Sequence, residues 1–188
     1  MRIEVAVSDI SVQADMQAVV NSANANLRMG SGVAGAIHGA AGPELEAYCR
    51  QFAPLSAGKA VLTPGFGLPN AWVIHAVAAS FINEPKAELI LAKALDSVMK
   101  LANEHQIESL AMPAIGTGVF KCPPELSAEM TTRVLAYYGQ IGKKGRVHQE
   151  PYPLGCFLTY GKRHDGKASV RYKRMGGPWS SVELLHRG

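Results

Sequence analysis

The chain of 188 residues has the length of one ordinary domain and is long enough to bury a core without disulfides or metals. Hydrophobic residues make up 47% and charged residues 18%, a composition that excludes a disordered chain and, with 19 Gly and 11 Pro, a collagen-like one. No apolar stretch approaches the roughly 18 residues of a membrane-spanning helix, so no membrane partner is expected.

Positive charge is concentrated after residue 141. Residues 1–141 carry 9 Lys and Arg against 12 Asp and Glu, whereas residues 142–188 carry 10 against 3. A basic segment in which Tyr152, Tyr160, Tyr172 and Trp179 alternate with the charges is typical of a contact with nucleic acid or another polyanion. The alternative is a solvated basic extension whose aromatic residues anchor it to the fold.

Glu4 and the three cysteines indicate the cellular compartment of the protein. Glu4 interrupts the region that a signal peptide would keep apolar, so a cytoplasmic location is expected. Cys49, Cys122 and Cys156 stand in no Cys-x-x-Cys spacing, which favours reduced thiols over a disulfide framework. Neither a metal nor a cofactor is predicted.

Strand-like and helix-like patterns alternate along the chain. Short β-branched and apolar runs predict strands, and apolar residues at spacings of three and four predict helices. In chain order the predicted elements are strands at Ile3–Val7 and Ala18–Val20, helices at Ala36–Ala41 and from Pro43 to before Pro54, strands at Ala60–Thr63 and Ala71–Val77, a helix at Glu88–Asn103, a strand at Ser109–Ile115, a helix at Leu126–Tyr138 and a strand at Gly155–Tyr160. This alternation predicts an α/β sandwich around a mainly parallel sheet.

Two glycine-rich loops follow predicted strands. Gly30–Gly35 runs into a helix, whose N-terminal amides and dipole attract anions, and Gly116–Val119 supplies a second set of backbone amides. Ligands of open α/β sheets bind beyond the carboxyl ends of the strands, so the two loops together are predicted to hold a pyrophosphate. No lysine follows either loop as the nucleotide-triphosphate motif requires, and the first loop does not emerge directly from its strand as in a nicotinamide dehydrogenase.

The order of these motifs resembles the macro domain family. The resemblance covers most of residues 1 to about 140 and rests on Val19-Val20-Asn21-Ser22-Ala23-Asn24, Gly30-Ser31-Gly32-Val33-Ala34-Gly35-Ala36-Ile37-His38, Gly58-Lys59-Ala60-Val61-Leu62-Thr63, Val73-Ile74-His75 and Ala111-Met112-Pro113-Ala114-Ile115-Gly116-Thr117-Gly118-Val119-Phe120. It implies a three-layer α/β/α sandwich with a mixed, mostly parallel six-stranded sheet. It also implies a cleft for ADP-ribose, free or attached to a protein or nucleic acid. The domain would span residues 1–160, with a basic extension at residues 161–188.

The resemblance also implies roles for individual residues. Asp9, with Ile10 beside it, matches the acidic residue that accepts a hydrogen bond from the adenine amino group; a turn or capping role is the alternative. Asn21 and Asn24 match the paired asparagines, and Asn24, placed to bond the distal ribose, is the catalytic candidate. Tyr160 is the candidate for stacking on adenine. The diphosphate would be held by Gly30, Ser31, Gly32, Val33 and Ala34 in the first loop and by Gly116, Thr117, Gly118, Val119 and Phe120 in the second, with Phe120 beside the distal ribose or in the core.

Ala34 departs from many hydrolases of this family, which carry an aspartate at the corresponding position. A carboxylate that orients or activates water is therefore missing from the loop. Without it, hydrolysis would depend on Asn24 and the loop amides holding the distal ribose while the substrate diphosphate positions a water molecule. Three functions remain open: an ADP-ribosyl hydrolase or O-acetyl-ADP-ribose deacetylase, a reader that binds ADP-ribose without turnover, and an RNA-binding or poly-ADP-ribose-binding protein that uses the basic segment.

Overall fold

A computed structural model of the chain describes residues 2–141, 168–173 and 183–186. The strands are β1 (Arg2–Val7), β2 (Ala18–Ala23), β3 (Ala60–Pro64), β4 (Trp72–Val77), β5 (Ser109–Pro113), β6 (Ala168–Lys173) and β7 (Glu183–His186). The helices are α1 (Gly32–Ala41), α2 (Pro43–Cys49), α3 (Ala87–Glu104) and α4 (Pro124–Ile141), with short 3₁₀ helices at Ile10–Val12 and Arg50–Phe52. None of these helices is both long and apolar enough to cross a membrane.

All seven strands belong to one mixed sheet in the order β3-β4-β2-β5-β6-β1-β7. The pairs β2–β4, β2–β5 and β1–β7 are parallel, and β3–β4, β5–β6 and β1–β6 are antiparallel. Residues 65–71, which connect β3 to β4, are too few for the crossover that a parallel pair needs. The predicted α/β/α fold is confirmed, but within the described residues the sheet has seven strands instead of six and as many antiparallel as parallel pairs.

Helices cover both faces of the sheet. Along β2, Val19 packs with Ile37 of α1 and Leu45 of α2, whereas Val20 belongs to the core cluster that contains Leu95 of α3 and Leu135 of α4. Successive strand residues point to opposite faces, so a short apolar strand can supply two cores. The cores account for the layer order α1 and α2, sheet, α3 and α4.

The carboxyl ends of three strands lie at one edge of this sheet. β2 and β5 are parallel, and β6 runs antiparallel to both β5 and β1, so β1 has the same direction as β5. The segments that follow β1, β2 and β5 are therefore brought to the same edge. This edge positions the site described below.

Several predictions concern residues outside the described ones. The final strand at Gly155–Tyr160, the stacking residue Tyr160, and Tyr152 and Trp179 are among these, as is the proposed boundary at residue 160. Within the segment after that boundary, β6 and β7 pair with β1 in the central sheet.

Candidate functional site

A cavity of about 500 Å³ lies where β2 and β5 end. Residues of both glycine loops line it, so the loops lie on one cleft as the positions of their strands predicted. The lining residues are Ser22, Ala23, Asn24, Gly30, Ser31, Gly32, Val33, Ala34, Ala114, Gly116, Thr117, Gly118, Val119, Phe120 and Lys121. Eleven of them were predicted as site residues from the sequence.

The first wall of the cleft is the start of α1. The first backbone amide bonded within the helix is that of Gly35, which donates to the Ser31 carbonyl at 3.5 Å. The amides of Gly32, Val33 and Ala34 therefore have no partner inside the helix, as in the first turn of any α-helix. Ser31 stands at the capping position but its hydroxyl makes no capping hydrogen bond. The wall consequently presents a positive helix end to the cavity.

Close packing holds the first loop against its helix. A Cβ built on Gly35 would lie 2.5 Å from the carbonyl oxygen of Gly30, well inside contact distance. A glycine is therefore required at position 35 for the loop to approach α1 as it does.

Asn24 joins the end of β2 to the first loop. Its Nδ2 donates to the Arg28 carbonyl at 2.8 Å, and its Oδ1 accepts from the Arg28 amide at 3.2 Å. Because the side-chain amide has two N–H groups, one remains after the bond to Arg28. Asn24 thus fixes the chain that leads into the loop and still has a donor for a ligand in the cleft.

In the second loop, the backbone amides at positions 116 and 121 donate hydrogen bonds within the described structure, and the amides between them at 118–120 do not. Gly116 N–H donates to Ser22 Oγ at 3.3 Å, and Lys121 N–H donates to the Gly118 carbonyl at 3.1 Å. Within the described part of the chain, the amides at 118–120 make no hydrogen bond. The cleft therefore has three unused amides in each loop, at 32–34 and at 118–120.

The charge of the cleft is a single cation. Of the lining residues in the described part of the chain, Lys121 alone carries a formal charge, and no carboxylate lines the cavity. The alanine at position 34 is buried in the wall, 6% exposed. The lining is suited to binding an anion and supplies no carboxylate to act as a general base.

Asp9 and Ile10 lie outside the cavity lining. They directly follow β1 at the same edge of the sheet, where Asp9 Oδ1 accepts from the amide of Ser11 at 2.9 Å and from its hydroxyl at 2.7 Å. The capping role that the sequence left open for Asp9 is thus present. Ile10 is buried against the face that α1 and α2 cover.

Asn21 is a buried residue of the sheet and does not line the cavity, contrary to the ligand-binding role predicted for it. It stands beside His75 in the β2–β4 register, and its Nδ2 lies 3.0 Å from His75 Nδ1. His75 Nε2 lies 3.1 Å from the hydroxyl of Thr63, and that hydroxyl donates to a backbone carbonyl. An Nε2–H tautomer of His75 satisfies both contacts.

The two histidines beneath the first loop are neutral and buried. Burial, reinforced by the neighbouring His38, lowers the pKa of His75 to about 3. Burial also lowers the pKa of His38, whose ring lies 6.0 Å from that of His75 and whose ring nitrogens have no hydrogen-bond partner in the described structure. Both are therefore structural in position.

Four lining residues were missed by sequence reasoning: Ser22, Ala23, Ala114 and Lys121. Three of them lie at or just after the ends of β2 and β5, the edge at which ligands of α/β sheets bind. That rule was a sufficient signal for Ser22, whose hydroxyl connects β2 to the second loop. Nothing in the spacing of the motifs distinguished Lys121.

Comparison with known proteins relates this cleft to one family. The sequence model named Macro domain matches residues 20–131. A macro domain-containing protein of Ralstonia nicotianae is 41% identical over 123 residues, covering 65% of this chain and 72% of that protein. The ADP-ribose glycohydrolase MACROD1 of Bos taurus is 42% identical over 123 residues, covering 64% of this chain and 38% of that protein.

Solved structures give the same relationship. The chain is similar to the Oceanobacillus iheyensis macrodomain with ADP, with a TM-score of 0.67 and 32% sequence identity, covering 70% of this chain and 73% of that one. A variant of the same macrodomain with ADPR matches with the same TM-score.

Proposed function

The chain belongs to the macro domain family, and from that premise we propose that its cleft binds ADP-ribose, free or attached to a macromolecule. The observation that carries the proposal is the pair of unused amide sets, 32–34 and 118–120, which belong to residues that line one cavity. A diphosphate needs several donors on both sides, which the two loops supply, and no carboxylate is among the lining residues that the structure describes.

Residues near the two loops would contact the distal ribose and the adenine, the two ends of the ligand. Asn24 has one N–H group left for the hydroxyls of the distal ribose. Asp9, which follows β1 at the same edge of the sheet, would supply a carboxylate for the adenine amino group. Phe120 is half-buried against the core beneath α3 and α4 and also lines the cavity, a position that supports the contact with the distal ribose proposed for it.

Hydrolysis of an ADP-ribosyl linkage is the second candidate activity. It is supported by the 42% identity to a protein named ADP-ribose glycohydrolase. The lining has no carboxylate to activate water, so the reaction would have to depend on positioning. Asn24 and the loop amides would hold the distal ribose so that a water molecule bound by the diphosphate approaches the anomeric carbon.

Isothermal calorimetry with ADP-ribose tests the binding proposal. We expect saturable heat from the unmodified protein and weaker binding by Asp9→Ala. Asp9→Asn is the matched control because asparagine retains an oxygen acceptor and the cap at Ile10–Val12. No heat from the unmodified protein refutes the binding proposal, and equal affinity of Asp9→Ala refutes the adenine contact.

Loss of label from a mono-ADP-ribosylated protein tests turnover. The unmodified protein should release ADP-ribose, and Asn24→Ala should release it more slowly at saturating protein. Label that persists at high concentrations of a protein shown to bind ADP-ribose would refute hydrolysis of that linkage and leave binding without turnover as the function.

A further inference from the structure

The second loop contains a lysine in a backbone conformation that lysine rarely adopts. Lys121 has a φ of +58°, in the left-handed region where a Cβ is crowded by the backbone. It is exposed and it lines the cavity that both glycine loops share. A residue held in such a conformation at a ligand cleft suggests that the side chain, and not the backbone, is the reason for its presence.

Hydrogen bonds on either side of Lys121 impose this conformation. Its amide donates to the Gly118 carbonyl at 3.1 Å, and the next amide, of Cys122, donates to the Gly116 carbonyl at 2.9 Å. The carbonyl of Phe120 accepts from Phe81 at 2.8 Å. The turn is therefore fixed by contacts that any residue at 121 would make, and a glycine there would make them without strain.

The Lys121 side chain supplies a full positive charge, which the other described lining residues lack. Lys121 is the single formal charge among the lining residues of the described chain, and it forms no ion pair with a described carboxylate. The amides at 32–34 and 118–120 contribute dipoles only. An ammonium group on a long flexible stem can reach an anion held between them and interact with it as a point charge.

We propose that Lys121 is a ligand-binding residue whose ammonium group binds the diphosphate of the ligand held between the two glycine loops. The proposal rests on the proposed function, since it assigns a further contact in the same ADP-ribose site. It explains why a strained, charged residue occupies a turn that glycine would fit.

The test compares charge and strain at one position. Lys121→Met removes the charge and keeps a side chain, and we expect its Kd for ADP-ribose to rise about 3- to 10-fold in low salt, with Lys121→Arg restoring most of the affinity. Added salt should weaken the unmodified protein more than Lys121→Met, because one ionic contact is screened in the former alone.

Lys121→Gly separates the two effects. It should lose the same affinity as Lys121→Met while raising the Tm by about 2–4 °C, because the strain at φ +58° is removed. Gln106→Gly is the matched strain control: Gln106 is exposed at φ +54°, does not line the cavity, and should raise the Tm without changing affinity. Lys59→Met is the charge control outside the cavity lining and should leave affinity unchanged.

The outcomes separate this proposal from the proposed function. If the unmodified protein binds ADP-ribose and Lys121→Met binds it equally well in low and high salt, the role of Lys121 is refuted and the ADP-ribose site stands. If Lys121→Gly lowers the Tm, the strain argument is refuted. If the unmodified protein does not bind ADP-ribose, both proposals fail.

Discussion

Gly35 offers the sharpest test of how the first loop is held. In Gly35→Ala the new Cβ would lie 2.5 Å from the Gly30 carbonyl oxygen, and distances under 3.0 Å essentially never occur for a real Cβ. The Gly30 backbone must therefore move by at least about 0.5 Å, the difference between these two distances. The neighbouring amides at 32–34 move relative to the second loop, and hydrogen bonds from both loops to one diphosphate are no longer satisfied together.

The expected cost is about 1.5 kcal/mol, roughly a tenfold rise in the Kd for ADP-ribose, if two amide hydrogen bonds to the charged diphosphate, each contributing about 1.5 kcal/mol, lose about half of that contribution. Calorimetry at constant salt measures the affinity. Gly39→Ala is the matched control one turn later in α1: its Cβ would lie 3.7 Å from Met29, an ordinary contact. It should stabilise the protein by about 0.5–1 kcal/mol without changing affinity.

Two results would refute this reasoning. One is an unchanged Kd in Gly35→Ala, which would show that the approach of Gly35 to Gly30 does not position the amides. The other is an equal loss of affinity in Gly39→Ala, which would show that any substitution in α1 disturbs the site.

Two further predictions concern the second loop and the buried histidines. Ser22→Ala removes the acceptor of the Gly116 amide and should weaken ADP-ribose binding, measured by calorimetry, about 3- to 10-fold. The control Ser97→Ala loses a hydroxyl that is bonded away from the cleft and should leave the Kd unchanged. Equal Kd values for the two variants would contradict the role of Ser22. Because the pKa of His75 falls from 6.5 to about 3 on folding, the unfolded chain binds a proton that the folded one excludes below pH 6.5. The stability that depends on neutral His75 is therefore complete above pH 6.5 and is lost as the pH falls toward 3. The free energy of unfolding in urea should drop by about 2 kcal/mol from pH 7 to pH 5 on account of His75 alone. The lowered pKa of His38 acts in the same direction. In His75→Gln the drop should be smaller by that amount, and an equal drop in both proteins would contradict the assignment.

Local sequence patterns were sufficient to predict much of the fold and of the cleft. α3 was predicted at Glu88–Asn103 and spans Ala87–Glu104, because one long apolar face packs against the sheet. The glycine loops were predicted to meet because parallel strands end at one edge, and they line one cavity. These features depend on short-range periodicity and on a topological rule.

Features set by register and by distant pairing were not predicted. Asn21 and Ser22 are neighbours in the sequence, and the face of the sheet on which each side chain lies decides which of them lines the cleft. The position of Asn21 in the motif was the sole reason for predicting it as a site residue. The antiparallel pairing of β6 between β5 and β1 depends on residues more than fifty positions away from β5, which no local pattern reports. The unusual backbone of Lys121 follows from hydrogen bonds of its neighbours, and not from its own side chain.

The pairing of β1 has a consequence for biosynthesis. Its hydrogen-bonding neighbours in the sheet are β6 and β7, so the earliest of the described strands pairs with the two latest ones. β2, β3, β4 and β5 can associate while the chain is still growing, but β1 must wait until residues 168–186 emerge. A nascent chain stopped after α4 would leave both edges of β1 and one edge of β5 unpaired, and such edges are templates for aggregation.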